Sequence, residues 1–135
     1  MEAFKLPYTV RQKILDYFGE VVIKHVRDRV LEQSMVKATY TTVNRLYLEK
    51  YKNLSDLSDI QKESVCDLLS DTITGTIFEF LDMFEANKDK MQLNIIKDGQ
   101  KYDMADISEK MGSEIACYED DGWIQQFSEI GRFVL

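Results

Sequence analysis

Apolar residues recur at every fourth position in the first third of the chain, at Val10, Ile14, Phe18, Val22, Val26 and Val30. That spacing places them along one face of an α-helix. Leu15, Val21 and Leu31 widen the face to the breadth a globular core requires. Thr9 is the candidate N-cap. Gly19 weakens a helix by about 1 kcal/mol relative to alanine, and marks either a break or a point of close packing. The opposite side mixes charges, with Glu20 and Lys24 a favourable i,i+4 pair.

A shorter helix is expected after Thr41-Thr42, carrying Val43, Leu46, Tyr47, Leu48 and Tyr51. Asn53-Leu54-Ser55-Asp56 has loop composition. Ser58 and Gln61 then fit a capping box that opens a third helix. Its apolar series runs Val65, Leu69, Ile73, Ile77, Phe80 and Phe84, with Leu68, Leu81 and Met83 beside it. Thr72, Thr74, Gly75 and Thr76 form helices poorly, so a kink or two shorter helices is expected there.

Past Asn87 the period changes from helical to alternating. Residues 92–97, then Asp98-Gly99, then residues 100–103 predict a β-hairpin with a type I′ turn. A short helix over residues 105–111 follows, ended by Gly112. A last helix opens at Asp121-Gly122-Trp123, capped by Asp121 and ended by Gly131, with Phe133-Val134-Leu135 packing down as an apolar tail. The pattern predicts a mainly helical α+β fold, a single domain over residues 1–135, with about four to six helices and one β-hairpin near residues 92–103.

Charge refines this picture. Residues 1–53 carry a balance of +4 and the remainder −11, for a net −7. An acidic part of that size repels nucleic acid and phosphate-rich membrane surfaces and attracts basic proteins. Neither a nucleic-acid nor a membrane partner is expected. The first residues lack the apolar run of a signal peptide, and no segment has the length to span a bilayer. Cys66 and Cys117 fit no CxxC pattern and read as free thiols of a reducing, cytoplasmic protein.

Two acidic constellations stand out. Asp59, Glu63, Asp67 and Asp71 recur every four residues on the third helix. Such neighbours repel by about 0.2–0.5 kcal/mol per pair. They form either a solvated face relieved by Lys62 and the basic first helix, or a docking stripe for a basic partner. The second is Tyr118-Glu119-Asp120-Asp121-Gly122-Trp123, which sets three acids beside the only tryptophan. It reads either as an acidic turn with a buried Trp123, or as steering charge beside an aromatic anchor.

Catalytic signals are sparse. Glu79-Phe80-Leu81-Asp82 matches the ExxD that helical nucleotide pyrophosphohydrolases use to hold magnesium. Their EExxE partner is missing, and Asp59-Ile60-Gln61-Lys62-Glu63 is a distant substitute. A magnesium-dependent enzyme of that type, with Glu79 and Asp82 as ligands, is the alternative. His25 is the only histidine and reads as structural, so no histidine metal cage exists. No cofactor is expected.

From Leu54 onward the chain resembles small acidic bacterial proteins of the immunity type, which neutralise toxins of rival or sister cells. The resembling residues are Leu54-Ser55 and those following to Glu63, the Asp98-Gly99 hairpin, and Glu119-Asp120-Asp121-Gly122-Trp123-Ile124 through Phe127-Ser128. The resemblance covers a little over half the chain and implies a cytoplasmic inhibitor of one cognate toxin, often a basic nuclease. The expectation is therefore a non-enzymatic binding module that meets a basic protein through Tyr118, Glu119, Asp120, Asp121, Trp123, Asp59, Glu63, Asp67 and Asp71.

Overall fold

The computed structural model describes residues 7–115 and 122–130. Pro7, not Thr9, opens the first helix: its carbonyl accepts the amides of Val10 and Arg11, and its side chain fixes φ for the helical turn. Helix α1 (Tyr8–Val22) passes through a π-helical turn, Ile23–Arg27, directly into α2 (Asp28–Ala38). That turn decides which residues face inward. Gly19, Ile23, Arg27 and Leu31 are buried at intervals of four. In a regular α-helix each four-residue step overshoots a turn by about 40°, so such a series would wind away from the core. The wider π turn absorbs the surplus residue. The series expected from sequence therefore holds only as far as Val22. Beyond it Val26 and Val30 are 45% and 42% exposed, while Arg27 and Asp28 turn inward.

The chain then makes α3 (Arg45–Lys50), capped by Asn44, whose side chain accepts the Leu46 amide at 2.9 Å. This short helix buries none of its residues, and Val43 and Leu46 are exposed rather than inward. A 3-10 turn, Lys52–Leu54, leads to α4 (Asp59–Ala86). The expected capping box is present: Ser58 Oγ accepts the Gln61 amide, and Gln61 Oε1 accepts the Ser58 amide at 2.9 Å. Contrary to expectation, α4 runs unbroken through Thr72, Thr74, Gly75 and Thr76. The Thr76 hydroxyl donates to the Thr72 carbonyl at 2.7 Å, which satisfies it inside the helix.

Helix α4 packs along α2 and the π turn, and its C-terminal part joins the core clusters of α1. Thr39 and Thr41 meet its first turn, Arg27 bonds Ser70, and Phe84 packs on the cluster around Ile14. Strands β1 (Asn94–Lys97) and β2 (Gln100–Asp103) form the predicted antiparallel hairpin, with Lys97 paired to Gln100. Asp98 and Gly99 have φ of 54° and 78°, as a type I′ turn requires. The expected helix over residues 105–111 is divided. Helix α5 (Met104–Ile107), capped by Asp103, stops early because Ser108 Oγ takes the amides of Lys110 and Met111. A 3-10 turn, Met111–Glu114, follows, and Gly112 lies within it instead of ending a helix. A Cβ there would fall 2.5 Å from the Phe78 carbonyl oxygen, so only glycine permits this approach to α4.

The last element is α6 (Trp123–Phe127), with Gly122 at its N-cap position and no side-chain cap. Asp121, Cys117, Gly131 and the tail Phe133-Val134-Leu135 lie outside the described residues. Two buried clusters hold the elements together. One joins Ile14 of α1 to Met104, Ile107 and Met111; the other joins Ile23 to Leu81, Ile115 and Trp123. The result is a mainly helical α+β fold with one two-stranded sheet.

Candidate functional site

Helix α4 divides cleanly by fours. Residues 62, 66, 70, 74 and 78, with 65, 69, 73, 77 and 81, are half-buried or buried. The other two rows are exposed throughout. One carries Asp59, Glu63, Asp67, Asp71, Gly75 and Glu79; its neighbour carries Ile60, Ser64, Leu68, Thr72, Thr76 and Phe80. The acidic stripe read from the sequence, Asp59 to Asp71, is thus exposed over a rise of about 18 Å. None of Asp59, Glu63, Asp67 and Asp71 forms an ion pair with another described residue. The helix as a whole holds seven carboxylates and one lysine, Lys62. Asp59 gains from the N-terminal end of the helix, and the later three do not.

The adjoining row was not foreseen. Leu68 and Phe80, expected in the core, are 66% and 56% exposed, and Ile60 is 78% exposed. Its hydroxyls are turned back onto the helix: Ser64 donates to the Ile60 carbonyl at 3.2 Å and Thr76 to that of Thr72. The signal lay in the register: Ile60 and Leu68 alternate one turn apart with the polar Ser64 and Thr72. At the start of the face, a groove of about 500 Å³ opens between Thr39, Thr41, Asp59, Ile60, Lys62 and Glu63.

The second acidic constellation divides differently. Tyr118, Glu119, Asp120 and Asp121 lie outside the described residues. Trp123 is 1% exposed, with its ring edge-on to Phe18 at a centroid distance of 5.6 Å, so it is a core residue and not a surface anchor. A Cβ on Gly19 would sit 2.5 Å from that indole, which resolves the role of this glycine as close packing. The segment after Trp123 is clasped from within. Asp28 accepts from the Ser128 hydroxyl at 2.8 Å and the Glu129 amide at 2.9 Å, and pairs with the Arg27 guanidinium at 2.9 Å. Arg27 also donates to Ser70 of α4 and to Ser128. This buried Arg-Asp pair was missed from sequence; its only signal was two adjacent opposite charges interrupting an apolar face.

Elsewhere a cavity of about 650 Å³ lies between α1, the segment after α5 and the start of α6. Its wall mixes Arg11 and Lys110 with Asp16, Glu109 and Glu114, and Arg11 approaches Glu109 at 3.7 Å. Glu79 is exposed on the acidic row of α4, and Asp82 is half-buried. Among the described residues no three His, Cys, Asp or Glu side chains converge as a metal site would require. His25 is exposed. Cys66 is fully buried, and burial, followed by the charge of Asp67, pushes its thiol above the ordinary range. The Lys24 ammonium is raised by its hydrogen bond and attraction to Glu20. Among the described residues no helix is long and apolar enough to cross a membrane. Comparison with protein-family models, with curated proteins and with solved structures finds no match to this chain.

Proposed function

We propose that this protein is a non-enzymatic binding module of the immunity type, which acts in the cytoplasm and captures one basic protein, a bacterial toxin, through its acidic surface. A single observation carries the reading: Asp59, Glu63, Asp67 and Asp71 are all exposed and none is neutralised by a described residue. Like charges held one turn apart repel, so the bare helix retains a standing attraction for cations. A net charge of −7 adds long-range steering of a basic partner. The resemblance of residues 54–63, the Asp98-Gly99 turn and residues 119–128 to immunity proteins supports the class of partner. Glu119, Asp120 and Asp121 add to the same field by their charge.

Affinity capture from the native cell, using the full chain as bait, tests the proposal. The expected result is one basic protein, released by salt and lost when Asp59, Glu63, Asp67 and Asp71 are changed to their amides. A parallel variant with Glu119, Asp120 and Asp121 amidated measures the share of the second constellation. Capture of only acidic or neutral proteins, or capture indifferent to salt and to both variants, would overturn the reading.

A further inference from the structure

The exposed side of α4 is more specific than a charged surface. Ile60, Glu63, Ser64, Asp67, Leu68, Asp71 and Gly75 are all exposed and fall within about 140° of one another around the axis. Apolar side chains two turns apart, Ile60 and Leu68, alternate with the short Ser64 and Thr72. Ser64 directs its hydroxyl into the Ile60 carbonyl, leaving carbon outward. In the acidic row, the space over Gly75 is open, with nothing within 4 Å of a Cβ placed there. Ridges along every fourth residue with gaps between them are the surface against which a second helix packs, its own four-residue ridges filling the gaps at a crossing near −50°.

Building on the basic-partner reading above, we infer that the occupant of this face is an amphipathic α-helix of another protein, with Lys or Arg along one i,i+4 row and small or apolar residues along the next. Charge selects that occupant. Seven carboxylates against one lysine on α4 demand cations opposite the acidic row. Two copies of this chain meeting by this same face would bring acid against acid, and nucleic acid or an anionic membrane would add phosphate to carboxylate. Close approach at Gly75 and at the small residues admits a helix, whereas a strand would leave its unpaired amides facing aliphatic carbon. The groove bounded by Thr39, Thr41, Asp59, Ile60, Lys62 and Glu63 receives the end of the docked helix.

The test uses the full chain and two synthetic peptides of identical composition. In one, lysine occupies one i,i+4 row and alanine or leucine the next; in the other the order is scrambled so that no face forms. Calorimetry and amide shift mapping are expected to show the amphipathic peptide on residues 60–75 of α4, binding at least about tenfold more tightly than the scrambled one. Gly75→Leu, which fills open space and improves helix propensity, keeps the fold and all the carboxylates. It is expected to weaken the amphipathic peptide about tenfold and leave the scrambled peptide unchanged. Equal binding of both peptides, or indifference to Gly75→Leu, overturns the helix-docking inference and leaves the basic-partner proposal standing. Absence of either peptide from α4 at low ionic strength overturns both.

Discussion

Two glycines in helices give opposite predictions for one substitution. Gly75 lies on the exposed side of α4 with nothing within 4 Å of a placed Cβ. Gly75→Ala therefore expresses helix propensity alone and is expected to stabilise by about 1 kcal/mol. Gly19→Ala brings the same propensity gain, but its methyl arrives 2.5 Å from Cδ1 and Nε1 of Trp123 and 2.7 Å from Cε2. Carbon contacts are comfortable at about 3.5–4.0 Å, so the indole must retreat by about 1 Å. It has little room, being 1% exposed and set edge-on against Phe18. Overpacking of this kind costs about 1–3 kcal/mol, which leaves a net destabilisation of roughly 0–2 kcal/mol. Urea unfolding followed by tryptophan emission reads both terms, because the chain contains one tryptophan. The midpoint should rise for Gly75→Ala and fall for Gly19→Ala, the latter with native emission shifted as the ring moves. In a Trp123→Phe background, followed by circular dichroism, the smaller ring should erase much of the cost of Gly19→Ala. Equal stabilisation by both alanines, with unchanged emission, would refute the packing of the indole on Gly19.

Asp28→Ala removes the carboxylate adjacent to the buried Arg27 guanidinium together with the bonds that Ser128 and Glu129 donate to it; a loss of about 3–5 kcal/mol in chemical unfolding is expected. Replacing both charges, Arg27→Met with Asp28→Leu, should recover most of it, and failure to do so would place the stability in the Ser128 and Glu129 bonds. Asp67→Asn removes two like-charge neighbours on α4 and should stabilise by about 0.4–1 kcal/mol at low ionic strength, a gain that vanishes in high salt. The Cys66 thiol is raised in the folded chain, so folded protein holds that proton where the unfolded chain gives it up. Its contribution is full below the ordinary thiol pKa of about 8.5 and is lost as pH climbs through the raised value. Unfolding midpoints of the parent and Cys66→Ala should accordingly converge at alkaline pH, and a constant gap would contradict the assignment.

Periodicity and capping made much of the fold legible. Ser58 and Gln61 announced the start of α4, and Asp98-Gly99 the hairpin, because each signal acts within four residues and needs no tertiary partner. What failed depended on distant contacts. The π turn at Ile23–Arg27 has no local sequence mark; it exists because Arg27 finds Ser70 and Asp28 finds Ser128, 43 and 100 residues away. Thr72, Thr74, Gly75 and Thr76 are poor helix formers in isolation, yet packing of Ile77 and Phe78 carries α4 through them. The candidate face was half legible. Its carboxylates were visible as a four-residue repeat, while the outward direction of Ile60 and Leu68 followed from a burial pattern that hydrophobicity alone assigns the other way.

That inversion has a physical origin in the opposite side of the helix. Helix α4 buries Cys66 and Ser70 and exposes Ile60 and Leu68, the reverse of a sorting by apolarity. A buried guanidinium must keep its hydrogen bonds, since leaving it short of partners costs several kcal/mol, more than burying one leucine returns. Ser70 supplies one of those bonds to Arg27 at 3.2 Å, so Ser70 must face the π turn. Once Ser70 is inward, Leu68 and Thr72 lie about 160° from it around the axis and are turned outward, with Gly75 close beside them. The Arg27–Ser70 bond thus orients the middle of the exposed surface of α4. A variant that lacks it, Ser70→Ala, should leave the carboxylates in place yet loosen the rotation of α4 about its axis, read as faster amide exchange along residues 62–74. If exchange there is unchanged, the apolar contacts around Leu81 set the orientation unaided.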